Sequence, residues 1–202
     1  MLKNLIVVGA NSMDYINTKA QLNNIVYKNG LFIEALPNVC IELEKNVNIF
    51  NEKYNTNYKC INALVTDKEN EKYPFYIFSN NGESSSIFKP NDKNWLWKDV
   101  NVSQITELSS VTMKHIIEKN NWNNKKFDVI LDVQGSELKV LKGFKSYIKN
   151  MDYLTVEISK KEFYIGGVLF EELNNFLLEQ GFTYIKKLYG HDDHCDVLYK
   201  KN

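Results

Sequence analysis

The chain has 202 residues, enough for one domain with a substantial core. Its 25 basic side chains equal its 25 acidic ones and 44% of its residues are hydrophobic. That balance argues against the positive excess that a broad nucleic-acid or anionic-membrane footprint needs, and no apolar run reaches the ~18 residues of a membrane span.

Cys40, Cys60 and Cys195 are odd in number, widely separated and without Cys-x-x-Cys spacing. They suit reduced thiols better than a disulfide framework or a zinc site. The amino terminus enters a strand almost at once, without a signal-peptide pattern. A cytoplasmic protein, monomeric or homodimeric, is expected.

Leu5 to Ala10 is a continuous apolar run ending in a glycine turn, the pattern of a buried parallel strand. A polar, helix-like stretch spans roughly Thr18 to Lys28, with Asn29-Gly30 as its stop. Leu31 to Ala35 reads as a second strand. Pro37 suits the first turn of a helix that buries Leu43, Val47, Phe50 and Tyr54, at spacings of four, three and four. Tyr58 to Val65 reads as a third strand. This β-α-β-α-β order is the half-fold that binds nucleotide-like ligands.

The middle is less regular. Tyr73 to Ser79 alternates like a strand, Asn80-Asn81-Gly82 is a turn, and Ser84 to Trp97 reads as a loop. Val102 to Leu108 suits an edge strand. Thr112 caps a short helix that buries Met113, Ile116 and Ile117. Regularity then returns: a strand at Phe127 to Val133, a helix at Ser136 to Lys149, and a strand at Tyr153 to Ile158. A loop at Phe163 to Gly167 leads into a periodic helix at Val168 to Gln180. Thr183 to Leu188 and Asp196 to Tyr199 form a closing pair of strands. Without a repeat or linker, residues 1–202 are expected to be a single domain with an irregular insert at about 66–111.

The most informative segment is Leu131-Asp132-Val133-Gln134-Gly135-Ser136-Glu137. It delivers Asp132 and Gln134 to the carboxyl end of a strand, where open α/β sheets build their sites. Gly9 ends the first strand and permits close backbone approach. Glu34 ends the second; a carboxylate there either accepts both hydroxyls of a ribose or is a solvated strand end. Glu157 lies between apolar neighbours on a strand, an expensive place for a carboxylate without a purpose or partner. Burial would make it a usable base. His191-Asp192-Asp193-His194-Cys195-Asp196 is a polar hairpin turn, an acceptor-side site with a histidine base, or a metal cluster. Trp95, Trp97 and Trp122 are core or rim residues, or a platform for a sugar face.

The run Asp132-x-x-Gly135-x-Glu137-x-x-x-Leu141-x-Gly143 resembles the signature of the FkbM-type methyltransferases. Gly9, Ala10 and Asn11 match that family's Val-Gly-Ala-Asn-x-Gly turn, while Met13 stands where its later glycine is expected. Glu34, followed by Pro37, is similar to the family's Glu-Pro with a small insertion. Ser84-Ser85-Ser86 resembles its Gly-x-Ser-Ser segment. Glu157 coincides with a family glutamate. His194, Asp196, Leu198 and Tyr199 match a His-Gly-Asp-x-Leu-Tyr ending, with Cys195 in place of glycine.

The resemblance implies a Rossmann-like class I fold, with a mostly parallel seven-stranded sheet and helices on both faces. It implies S-adenosylmethionine-dependent O-methylation, an EC 2.1.1 type activity, of a hydroxyl on a sugar, glycan or other small molecule. Gly9, Ala10, Asn11, Glu34, Asn62, Ala63, Asp132 and Gln134 would hold the cofactor, with Asn62 either at the adenine edge or only a turn former. Ser85, Ser86, Gln134, Glu157, His191 and His194 would face the acceptor. Asp132, Glu157 and His194 are the expected catalytic set, and neither a resident metal nor a nucleic-acid partner is expected. Two rivals follow from the same residues: a non-catalytic binding module, motivated by Met13, and a nicotinamide-dependent oxidoreductase, motivated by Glu34 but lacking Gly-x-Gly-x-x-Gly.

Overall fold

The computed structural model describes residues 3–13, 27–95 and 97–202. Three apolar runs set its centre: β1 (Lys3–Val8), β2 (Tyr27–Glu34) and, far along the chain, β7 (Phe127–Leu131). All five residues of β7 are buried, as expected of a parallel strand covered on both faces. Ile6, Val8, Leu31, Ile33, Val129 and Leu131 feed one core. The alternate residues Leu5, Val7, Phe32 and Ile130 feed a second on the opposite face. There they meet Leu43 and Val47 of α1 (Pro37–Tyr54).

The remaining elements follow in order: β3 (Asn57–Asn62), β4 (Leu64–Thr66), β5 (Lys72–Phe78), β6 (Val102–Thr112), α2 (Met113–Lys119), α3 (Glu137–Gly143), a 3₁₀ turn (Lys145–Asn150), β8 (Met151–Ser159), α4 (Phe170–Glu179), β9 (Phe182–Gly190) and β10 (His194–Lys201). The main sheet has seven strands in the order β3-β2-β1-β7-β8-β10-β9. β3, β2, β1, β7 and β8 are parallel neighbours, and β10 runs antiparallel to β8 and β9. The chain winds outward from β1 to β3 and then restarts on the other side of β1 at β7. That reversal opens a crevice at the carboxyl ends of β1 and β7. A second sheet, β4-β6-β5, stands beside it. Among the described residues, no helix is long and apolar enough to cross a membrane.

Several elements differ from the sequence expectation. The helix expected over Thr18 to Lys28 falls mostly on residues 14–26, outside those described; its last two residues, Tyr27 and Lys28, are in β2. Gly30 is mid-strand and stops nothing: a Cβ there would come within 2.6 Å of the Phe32 ring and 2.9 Å of the Tyr58 ring. On α1, Leu43 and Val47 are buried, but Tyr54 is 53% exposed and lies against Phe50. The third strand divides at Ala63, whose N–H donates to the Glu34 carbonyl before β4 leaves for the second sheet. β6 runs past the expected Val102 to Leu108: that stretch pairs with β5 alone, as an edge does, and β4 joins only at the far end, Ser110 to Thr112. The expected helix over Ser136 to Lys149 stops at Gly143, and the chain turns through a left-handed Lys145.

Candidate active site

The turns after β1 and β7 lie against each other. Asp132 donates its N–H to the Val8 carbonyl, and Gly9 and Ala10 both donate to the Ile33 carbonyl. Gly9 has φ 78°, and a Cβ on it would overlap the Asp132 carbonyl oxygen. The turn continues with two more left-handed residues, Asn11 (φ 46°) and Met13 (φ 80°). Asparagine tolerates that region; methionine does so at a cost. Met13 is only 4% exposed and packs in the core beneath α1. The carboxylate of Glu34 ties this turn to the β2 tip, accepting from Asn11 N at 3.0 Å and Leu36 N at 2.9 Å. Burial raises the Glu34 carboxyl above its ordinary pKa.

The β7 turn has the same construction. Gln134 (φ 53°) and Gly135 (φ 95°) are left-handed. The Glu137 carboxylate accepts from Val133 N and Gly135 N, each at 3.1 Å. Glu137 is 3% exposed, and burial pushes its pKa up to about 7. Leu141 is buried, and a Cβ at Gly143 would overlap the Thr66 carbonyl oxygen, so the signature helix sits directly on the second sheet.

The side chain of Gln134 joins the carboxylates of the site. Its Nε2 donates to Asp132 Oδ1 at 2.7 Å and to Glu157 Oε2 at 2.8 Å. Its Oε1 lies 2.6 Å from the buried Tyr164 hydroxyl. Glu157 Oε1 lies 3.1 Å from His194 Nε2, and His194 Nδ1 lies 2.9 Å from Ser159 Oγ. The antiparallel β8–β10 register, with His194 opposite Ser159 and Asp196 opposite Glu157, produces this contact. Trp97 and Phe163 approach the His194 ring edgewise at 5.4 and 5.3 Å.

Asp132, Gln134, Glu157, His194 and Trp97 help wall a cavity of about 450 Å³ at the strand tips, a volume suited to a small ligand. Glu34, Glu83, Asp132, Glu157 and Asp196 are acidic residues of its lining, and no lysine is among the described lining residues. The chain contains no arginine.

Of the residues singled out from the sequence, Gly9, Asn11, Glu34, Ala63, Asp132, Gln134, Ser85, Glu157, His191 and His194 line the cavity. Three do not. Ala10 is fully buried in the core. Asn62 spends its amide on the Glu34 and Ala35 carbonyls, at 2.9 and 3.0 Å, bracing the β2 tip. Ser86 is buried, and its hydroxyl donates to the Gln134 carbonyl at 2.7 Å. In the His191 to Asp196 segment, Asp192 pairs with Lys187 and Asp193 with Lys161. No group of three or more His, Cys, Asp or Glu suited to a metal occurs among the described residues. Trp97 lines the cavity, Trp95 stacks on Phe78, and Trp122 is in the core. Sequence reasoning missed Tyr164, Tyr189 and Glu83. Tyr164 lies 30 residues from Gln134, in a loop without a distinctive pattern.

Residues 8–184 match the sequence model of the Methyltransferase FkbM domain. No curated protein matches the chain. The crystal structure of Methyltransferase FkbM from Methylobacillus flagellatus KT is similar with a TM-score of 0.61 at 11% identity, over 98% of this chain but only 43% of that one. The human methyltransferase 10 domain containing protein gives 0.50 at 11% identity, over 100% of this chain and 72% of that one. Magnesium protoporphyrin IX methyltransferase from Synechocystis PCC 6803 gives 0.50 at 9% identity, over 100% and 70%. At such identities the structures speak for the fold, which is the Rossmann-like class I methyltransferase fold. The sequence match covers most of the chain and carries the assignment: the chain belongs to the FkbM methyltransferase domain family.

Proposed function

We propose that the chain is an S-adenosylmethionine-dependent O-methyltransferase acting on a hydroxyl of a sugar, glycan or other small molecule. The observation that carries this reading is the hydrogen-bonded chain Asp132–Gln134–Glu157–His194 along one wall of a carboxylate-lined cavity.

The donor set fits the cofactor. When bound, S-adenosylmethionine supplies an electrophilic methyl on a cationic sulfur, and carboxylates stabilise such a cation. Gly9 and Asn11 in the first turn, Glu34 at the β2 tip and Ala63 after β3 would hold its adenosine part, with Asp132 and Gln134 beside the methionine part. Glu34 already accepts backbone N–H groups, yet a carboxylate has about four acceptor positions, leaving capacity for ribose hydroxyls. The Synechocystis methyltransferase of similar fold was solved with bound SAM. A cavity with no lysine among its described lining residues, in a chain without arginine, suits a diphosphate or polyphosphate poorly. That disfavours both a nicotinamide dinucleotide and a nucleic-acid acceptor.

An alcohol is a weak nucleophile, so a base assists its attack. Glu157 takes the acceptor proton. His194 commits both ring nitrogens, one to Glu157 and one to Ser159, and so acts by orienting Glu157. Trp97 gives the acceptor side an aromatic wall for the apolar face of a sugar. Mass spectrometry of hydroxylated sugars incubated with deuteromethyl cofactor tests the reading; a labelled methyl ether is expected, and label only on nitrogen or carbon acceptors would overturn it. Glu157→Gln is expected to lower kcat by about 10² or more, and His194→Ala by less. Full turnover in both variants would remove the base.

A further inference from the structure

Cys40 and Cys60 are separated by 20 residues in sequence and meet in the fold. Cys40 lies in the first turns of α1, anchored by its N–H to the Leu36 carbonyl at 2.8 Å. Cys60 lies mid-strand in β3, opposite Phe32 of β2. Their sulfurs are 2.9 Å apart, and Cys60 Sγ is also 3.5 Å from the Cys40 carbonyl oxygen. Closing that gap to the ~2.0 Å of a disulfide needs less than about 1 Å of movement. We propose that Cys40 and Cys60 are an oxidative modification site, forming a reversible intramolecular disulfide when a hydroperoxide reaches Cys60.

Access and proximity set the order of events. Cys60 is half-buried, while Cys40 is buried. The Cys60 thiol is reached first: its sulfur attacks the peroxide O–O bond, giving a sulfenic acid and, from hydrogen peroxide, one water. The Cys40 sulfur then attacks the Cys60 sulfur. The S–S bond forms, the S–O bond breaks, and a second water leaves with the Cys40 proton. Two thiols and one peroxide thus become one disulfide and two waters. Burial raises both thiol pKa values, so neither is a ready thiolate near neutral pH. The first oxidation is therefore slow, and contact between the sulfurs makes the second step fast once a sulfenic acid forms. The bond would fasten the start of α1 to β3 two residues before Asn62, which braces the tip carrying Glu34. Cys195 lines the separate cavity on β10.

The test uses the whole chain and needs no ligand. After treatment with a severalfold excess of hydrogen peroxide, thiol titration in denaturant should fall from three thiols to one. The intact mass should drop by two hydrogens, a non-reducing peptide map should link Cys40 to Cys60, and dithiothreitol should restore three thiols. Cys195→Ser should fall from two thiols to none, whereas Cys60→Ser should keep both of its thiols under the same dose. Three persistent thiols in the wild type, or a stable gain of oxygen on Cys60 without a linked peptide, would overturn the proposal.

Discussion

The turns after β1 and β7 are each held by one buried glutamate that accepts two backbone N–H groups. Glu137 binds Val133 and Gly135, within four residues of itself. Glu34 binds Leu36 nearby but also Asn11, 23 residues away on another strand tip. The local clamp shapes one turn. The distant clamp locks two strand tips together and, at the same time, presents its carboxylate to the cavity. Similar chemistry therefore does different work: losing Glu137 should be felt as stability, and losing Glu34 as stability and binding together.

Glycine substitutions break the comparison most sharply. Gly9→Ala places a Cβ on the Asp132 carbonyl oxygen, where backbone must move and both turns shift. A loss of more than about 3 kcal/mol in chemical denaturation is expected. Gly135→Ala meets its nearest atom, the Gly167 Cα, at 3.3 Å, and the strain of a left-handed alanine dominates. That should cost about 1–2 kcal/mol. Equal losses would mean that the two turns are not packed as described.

The pH dependence of stability comes next. The Glu137 pKa is near 7 in the fold against an ordinary value of 4.5, so the folded chain holds the extra proton between them. Stability from this group is fully present below about pH 4.5 and is lost as pH rises through 7, by about 3 kcal/mol. Glu137→Gln should flatten that part of the profile in denaturation curves taken from pH 4.5 to 8. An unchanged slope would put the titrating group elsewhere. Glu34→Gln sharpens the contrast, since an amide cannot accept both N–H groups from its two ends. S-adenosylhomocysteine should bind at least about tenfold more weakly by calorimetry, a loss of about 1.4 kcal/mol. The smallest effect is expected at Met13→Gly. Relief of left-handed strain offsets the lost burial of the side chain, for a net cost near 1 kcal/mol.

The legible parts of the fold were those set by local pattern. Continuous apolar runs mark β1 and β7, and periodic leucines mark α4, with Leu173 and Leu177 buried. The Thr112 cap forms as read, its hydroxyl accepting from His115 N. What failed depended on distant partners. Gly30 looks like a stop until the Tyr58 ring from β3 lies over it. β6 continues past its expected end because β4, 46 residues earlier in register, pairs with Ser110 to Thr112. Asn62 reads equally as an adenine contact or a turn former, and the bracing of the β2 tip by its amide shows only in the fold. At the site, acidic residues on strand ends were visible because burying them needs a reason. Tyr164 was not, because a tyrosine in a loop is unremarkable until Gln134 reaches it.

The excess of acidic over cationic residues in the described lining of the cavity has a consequence for turnover. On the proposed chemistry, methyl transfer converts a sulfonium into a neutral thioether. Each cycle therefore erases the ligand charge that those carboxylates attract. The spent donor should leave more readily than the fresh one binds, and the preference should fade as added salt screens the walls.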